Sequence, residues 1–122
     1  PYRAMLPLMR RLIAERGCRF ELIQGARNEA ELLYGDEFAA FAEATPGFGF
    51  HPCFSREPRA VPRPGDYAGR VQVAIEALQP DAATDVFYLC GNPDMVDQSF
   101  ALLKDAGFAV SQIRREKYIS SR

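Results

Sequence analysis

The chain has one histidine and three cysteines in 122 residues. Cys18, Cys53 and Cys90 are widely spaced, contain no CxxC pair and are odd in number, which argues against a disulfide framework. With His51 the sole histidine, a zinc site is not expected, and no metal ligand set is assigned. A Ser-His-Asp triad would have to use His51, which sits inside an apolar, strand-like run and is set aside. Such thiol usage fits a reducing, cytoplasmic setting. No apolar run approaches the ~18 residues that a membrane span requires. No stretch has the pattern of a signal peptide. Neither charge sign is in excess: 15 basic and 16 acidic residues leave a net charge of −1. That balance argues against nucleic acid as a partner, although local basic patches remain open.

What is present is enough for one domain, residues 1–122, since domains typically run about 100–150 residues. Apolar residues make up 48% and charged residues 25%, the composition of a globular protein with a real core. Pro1 suits the first position of a helix. Tyr2–Arg16 reads as an amphipathic helix, with Met5, Leu8, Met9, Leu12 and Ile13 at three- and four-residue steps and Gly17 as its stop. Strand-like segments follow at 19–24, 48–54, 85–90 and 109–114. Helical segments fall at 29–44, 67–78 and 92–106, and 56–66 is a Pro- and Arg-rich loop. Leu32, Leu33, Phe38 and Phe41 mark the apolar side of the second helix. Pro52 implies that one edge of its strand is unpaired there. The segment 85–90 reads as buried on both faces. Alternating strands and helices imply an α/β fold with a mainly parallel sheet. Ligands of such sheets bind beyond the carboxyl ends of the strands.

Four strand ends therefore draw attention. At Cys90-Gly91-Asn92-Pro93-Asp94-Met95, Gly91 gives a turn, Asn92 a helix cap and Pro93 the first helical residue. Exposed N–H groups there suit a phosphate, but the same residues also make a plain turn beside a small buried thiol. Arg27, Ser55, Arg56 and Arg70 follow or flank other strand ends. Converging, the three arginines would form a forked-donor pocket for a phosphate dianion; apart, they are solvated loop charges. Arg59 and Arg63 read as solvated loop charges. Glu116 and Tyr118 lie in the tail, where they serve either a site or simple termination.

Taken together, these motifs resemble the pyridine-nucleotide-binding domain of the ferredoxin–NADP reductase family, with most likeness to the bacterial ferredoxin and flavodoxin reductases. Pro1-Tyr2-Arg3 is similar to the end of the family's Gly-Thr-Gly-x-Ala-Pro-(Phe/Tyr) turn. Gly25-Ala26-Arg27 and Glu31–Glu37 resemble its second strand and following helix. Ser55-Arg56-Glu57 resembles its Ser-Arg-Glu signature, and Cys90–Met95 its Cys-Gly-x-x-x-Met motif. Glu116-Lys117-Tyr118 falls where members carry a terminal Glu-x-(aromatic).

The resemblance implies a three-layer Rossmann-like parallel sheet flanked by helices, of order 3-2-1-4-5. It implies NADP(H) as nucleotide, with Ser55, Arg56, Arg27 and Arg70 around the 2′-phosphate. Gly91, Asn92, Pro93 and Met95 would shape the pyrophosphate and nicotinamide pocket. Cys90 and Glu116 would flank the hydride-transfer point, and Tyr118 would cover the ring of FAD. The partners implied are ferredoxin or flavodoxin and the family's own N-terminal FAD domain. That FAD barrel and the sheet's first strand have no counterpart in the sequence, and Ile119–Arg122 extends past the aromatic. The expectation is thus a piece of a longer reductase, inactive alone, with strands in the order 48–54, 19–24, 85–90, 109–114 and strand 1 missing from the middle. Two alternatives stand beside this: an NADH-dependent reductase component of an oxygenase, and a nucleotide-binding module without catalysis.

Overall fold

Helix α1 (Tyr2–Arg16) starts the computed structural model, which describes residues 2–117. Pro1 and 118–122, including the expected flavin-covering Tyr118, lie outside the described residues. The chain divides into two compact units, Pro1–Arg70 and Val71–Arg122.

In the first unit, α1 ends where Gly17 adopts φ +66°, a conformation that costs a Cβ-bearing residue about 1–2 kcal/mol. Strand β1 (Phe20–Ala26) pairs in parallel with β2 (Phe48–Phe54), which pairs in parallel with β3 (Tyr67–Ala68). Between β1 and β2 runs α2 (Gly35–Ala44). Side chains of a strand alternate between faces, and the register sets Phe20 beside Phe48 and Leu22 beside Phe50. That face joins Leu6, Met9, Phe38 and Phe41 from the two helices in one core cluster. Each of these large side chains contributes about 1.5–3 kcal/mol by leaving water. Phe41 meets Phe48 edge-on at 4.8 Å.

The other face of β1 and β2 is polar at its start. His51 Nε2 donates to Glu21 Oε2 at 2.6 Å, and Arg19 Nη2 lies 2.8 Å from Glu21 Oε1. Gly49 sits beside this pair, and a Cβ built on it would collide with Glu21 Oε2. His51 is thus engaged by a carboxylate within a sheet.

In the second unit, α3 (Val71–Leu78) and α4 (Pro93–Asp105) accompany the parallel pair β4 (Phe87–Gly91) and β5 (Ile113–Lys117). Its interior holds Val71, Ala74, Ile75, Leu89, Val96, Leu103, Phe108 and Ile113. Phe87 and Phe108 pack edge-on at 5.2 Å.

The parallel α/β architecture is as the sequence implies. Among the described residues the strands make two sheets, β1-β2-β3 and β4-β5, so β1 pairs with β2 alone and β4 with β5 alone. Beside Pro52 the β3 side of β2 is unpaired, because β3 joins only at Cys53 and Phe54.

Several boundaries differ from expectation. The helix expected over 29–44 is broken: Glu29–Glu31 forms one short 3-10 turn, Tyr34 takes a left-handed conformation at φ 56°, and α2 begins at Gly35. The break leaves Leu33 exposed. The helix expected from residue 67 starts at Val71, because Tyr67–Ala68 joins the sheet and Gly69 takes φ +113°. Asp85 is not in β4; its side chain accepts from the Asp81 amide at 2.7 Å and closes a turn. Nor is β4 buried on both faces, since Tyr88 is exposed. The last strand begins at Ile113 rather than 109, because Val110–Gln112 forms a 3-10 turn. Gln112 Nε2 there donates to the carbonyls of Ala82 and Asp85. On α1, Leu8 faces solvent and Leu6 takes its place in the core.

Candidate functional site

The register of the first unit brings three strand ends level. Ala26 pairs with Phe54, and Phe54 with Ala68, so the residues that follow emerge side by side. Backbone bonds continue past the last pairs. The Ser55 amide donates to Ala26 O at 2.9 Å, and the Arg56 and Glu57 amides donate to Arg27 O at 3.1 and 3.0 Å. The Gly69 amide donates to Phe54 O at 2.9 Å. Arg27, Ser55, Arg56 and Arg70 are therefore gathered along one carboxyl-end edge, and all four are exposed.

Their side chains differ. Arg27 Nε donates to Glu31 Oε1 at 2.8 Å, and this hydrogen bond raises the guanidinium pKa further. Arg56 and Arg70 make no ion pair among the described residues. Two forked donors thus stand available at the edge, and a third is held by a carboxylate. This donor set fits a phosphate dianion.

Arg59 is not the solvated charge that its loop implies. Its side chain is 6% exposed. Nη1 donates to Glu29 Oε2 at 3.0 Å, and Nε donates to Asp66 Oδ2 at 3.1 Å. Its guanidinium also lies 5.2 Å from the Phe54 ring centroid. Burial lowers its pKa, but the bonds to Asp66 and Glu29 more than reverse this and leave it raised. The sequence signal was the acids on either side of the loop, Glu29 before it and Asp66 at its end. Arg63 is exposed, as expected; its amide donates to Asp66 Oδ2 at 3.0 Å.

A separate constellation lies in the second unit. β4 ends at Gly91 with φ +152°, and a Cβ there would stand 2.5 Å from Met95 Cε. Asn92 caps α4, its Oδ1 accepting from the Met95 amide at 2.8 Å, and Pro93 follows at the first turn. Asn92 and Pro93 are exposed, whereas Cys90, Gly91 and Met95 are half-buried. The Cβ-free position at Gly91 lets the Met95 methyl pack directly against the backbone at the end of β4.

Glu116 lies inside β5, not past a strand end, because that strand is shifted along the chain. Register places it directly beside Cys90. Tyr88, not singled out from sequence, donates its hydroxyl to Glu116 Oε2 at 2.8 Å. That bond raises the Tyr88 pKa. Lys117 Nζ meets Asp97 Oδ1 at 2.8 Å.

A shallow groove of about 430 Å³ lies beside α1 and α2, lined by Arg3, Leu6, Arg10, Glu37 and Phe41 among others. It contains none of the strand-end residues.

Residues 1–99 match the model of the oxidoreductase NAD-binding domain. The chain belongs to that family. Curated relatives of this oxidoreductase NAD-binding domain include the reductase component of propane 2-monooxygenase from Rhodococcus jostii (strain RHA1). It is 33% identical over 98 residues, which cover 79% of this chain and 26% of the relative. The electron transfer component of toluate 1,2-dioxygenase from Pseudomonas putida is 30% identical over 123 aligned positions, covering 99% of this chain and 34% of the relative. Among solved structures, the Amycolatopsis cytochrome P450 reductase GcoB superposes with a TM-score of 0.72 at 31% identity, over 93% of this chain and 34% of that one. The oxidoreductase NAD-binding domain described here thus spans about a quarter to a third of these proteins' lengths.

Proposed function

We propose that this domain binds the reduced nicotinamide dinucleotide for a flavin-dependent reductase that supplies electrons to an oxygenase. The observation that carries the reading is the level edge of β1, β2 and β3, which gathers Arg27, Ser55, Arg56 and Arg70 in a chain of the NAD-binding family. The oxygenase comes from the relatives, two of which are named as parts of oxygenase systems. A ferredoxin is the proposed electron carrier where one is used; no observation singles out flavodoxin.

The first unit offers groups suited to the adenosine end of a nucleotide. Arg56 and Arg70 present guanidinium forks, and Ser55 a hydroxyl, for a 2′-phosphate, which favours NADP(H). NADH is the second reading, and Glu31 and Glu57 favour it. Glu31 occupies Arg27, and Glu57 enters the same edge through its amide bond to Arg27 O. A carboxylate there suits the ribose hydroxyls of NAD(H).

The second unit, taken by itself, offers groups suited to a nicotinamide. When bound, the nicotinamide and FAD supply the hydride and electron chemistry itself. Gly91 admits the Met95 methyl against the strand end, and the two would form one wall beside the ring. Cys90 contributes a small, half-buried side chain, and Tyr88 fixes the Glu116 carboxylate beside it. Neither Cys90 nor Glu116 can accept a hydride, so their role is to position. Asn92 and Pro93 set the start of α4. FAD would be bound mostly by an N-terminal domain. Tyr118, the proposed ring cover, lies outside the described residues. The chain alone is therefore expected to lack NADPH oxidase and diaphorase activity. A cytoplasmic, thiol-reducing setting is proposed, and no helix among the described residues is long and apolar enough to cross a membrane.

The test is titration calorimetry of the chain with NADPH and NADH. Binding of either in preference to ATP supports the reading. No heat with both nucleotides would sink it.

A further inference from the structure

We infer that Arg59 is a positioning residue for the nucleotide's 2′-phosphate end, fixing the edge that presents Ser55 and Arg56; this rests on the function proposed above. Three segments converge on its side chain. Glu29 follows β1 and Arg27; Phe54 closes β2 directly before Ser55; Asp66 directly precedes β3. One guanidinium thus ties together the three stretches of chain that carry the strand-end arginines.

The arrangement is costly to build and specific in what it achieves. A charged side chain only 6% exposed gives up most of its hydration, and its fork must find acceptors. Both acceptors here are carboxylates from opposite flanks of the loop. Asp66 also takes the Arg63 amide at 3.0 Å, so the clasp reaches the loop backbone. Residues 56–66 contain four prolines or glycines and no helix or strand, so few backbone bonds would otherwise fix the path that leads away from Arg56. Arg56 and Arg70 are exposed and unpaired among the described residues, so their direction depends on the backbone beneath them. Lysine could keep the charge of Arg59 but not the two-sided fork.

The experiment compares the chain's affinity for 2′,5′-ADP and 5′-AMP by titration calorimetry. The variants are wild type, R59K, R59A and E29Q, with R63A as control. Circular dichroism and thermal melts verify folding, and amide exchange reports the order of 55–66. The expected result is a 2′,5′-ADP preference in wild type that falls about tenfold in R59K and R59A, falls partly in E29Q and persists in R63A. Exchange over 55–66 should quicken in R59K. Should R59A fail to fold, R59K and E29Q carry the test, because each retains part of the clasp. A wild-type preference that survives R59K and E29Q, or an equal loss for both probes, would overturn the positioning role and leave the functional reading intact. A wild-type chain that binds neither probe, or both alike, would remove the 2′-phosphate reading and this inference with it.

Discussion

Tyr88 on β4 donates its hydroxyl to Glu116 on β5 at 2.8 Å, directly beside the paired positions Cys90 and Glu116. The phenol keeps its proton more tightly in the folded chain, because Glu116 accepts the hydrogen bond and repels the phenolate. With the folded pKa above the unfolded one, the stabilisation is fully present below about pH 10 and fades as pH rises through the folded value. Selectively labelled tyrosine NMR should show Tyr88 titrating above the ordinary tyrosine range. E116Q should bring it back toward that range. A Tyr88 titration unchanged by E116Q would mean the bond does not form in solution.

Replacing Arg56 tests nucleotide choice. Charge-assisted hydrogen bonds contribute roughly 1.5–3 kcal/mol each, so two well-placed forks give a ~10²–10³-fold preference after desolvation losses. R56A should weaken NADPH binding by at least tenfold and leave NADH nearly unaffected. Equal losses for the two nucleotides would make Arg56 structural.

Cys90 tests the nicotinamide end in a reductase that also carries FAD. Hydride transfer requires the reacting atoms about 3–3.5 Å apart and aligned. C90A should slow flavin reduction about tenfold in stopped-flow measurements, with little change in nucleotide affinity. An unchanged reduction rate would leave Cys90 as a small thiol at a strand end.

The turn into α4 sets two stability effects. N92A removes the cap on the Met95 amide and should cost about 1 kcal/mol in urea unfolding. G91A should cost about 1–3 kcal/mol, because φ +152° suits only glycine and the new Cβ presses on Met95. If G91A were harmless, the close packing of Met95 on Gly91 would not be obligate.

The parts legible in the sequence are those with strong local signals. The bounds of α1 follow from its apolar spacing and Gly17, and α4 from its Asn92 cap and Pro93. β2 runs over Phe48–Phe54 as read, since aromatic alternation outweighed Pro52. Errors arose where two signals competed. Leu32 and Leu33 continue a helical spacing, yet Tyr34 turns left-handed and splits it. Tyr67 and Ala68 suit a helix, yet the bond from the Gly69 amide to Phe54 O holds them at the sheet edge. Strand-end logic expected Arg27, Ser55, Arg56 and Arg70 at one edge, and the register places them along it. It did not foresee the bonds of Arg59 and Tyr88, whose partners lie 30 and 28 residues away. Such pairings exist only once the strands are in register.

Gly49 gives its neighbours an unusual dependence. Its backbone needs no special angle, and the atom that a Cβ would strike is the tip of a flexible glutamate. An alanine there would therefore leave the strand standing and evict Glu21 from His51. A single methyl, uncharged and remote from any titratable atom of its own, would act as the deletion of a side-chain hydrogen bond. What holds the imidazole to its carboxylate across two strands is in part a missing side chain, and the sequence encodes that bond at a residue that takes no part in it.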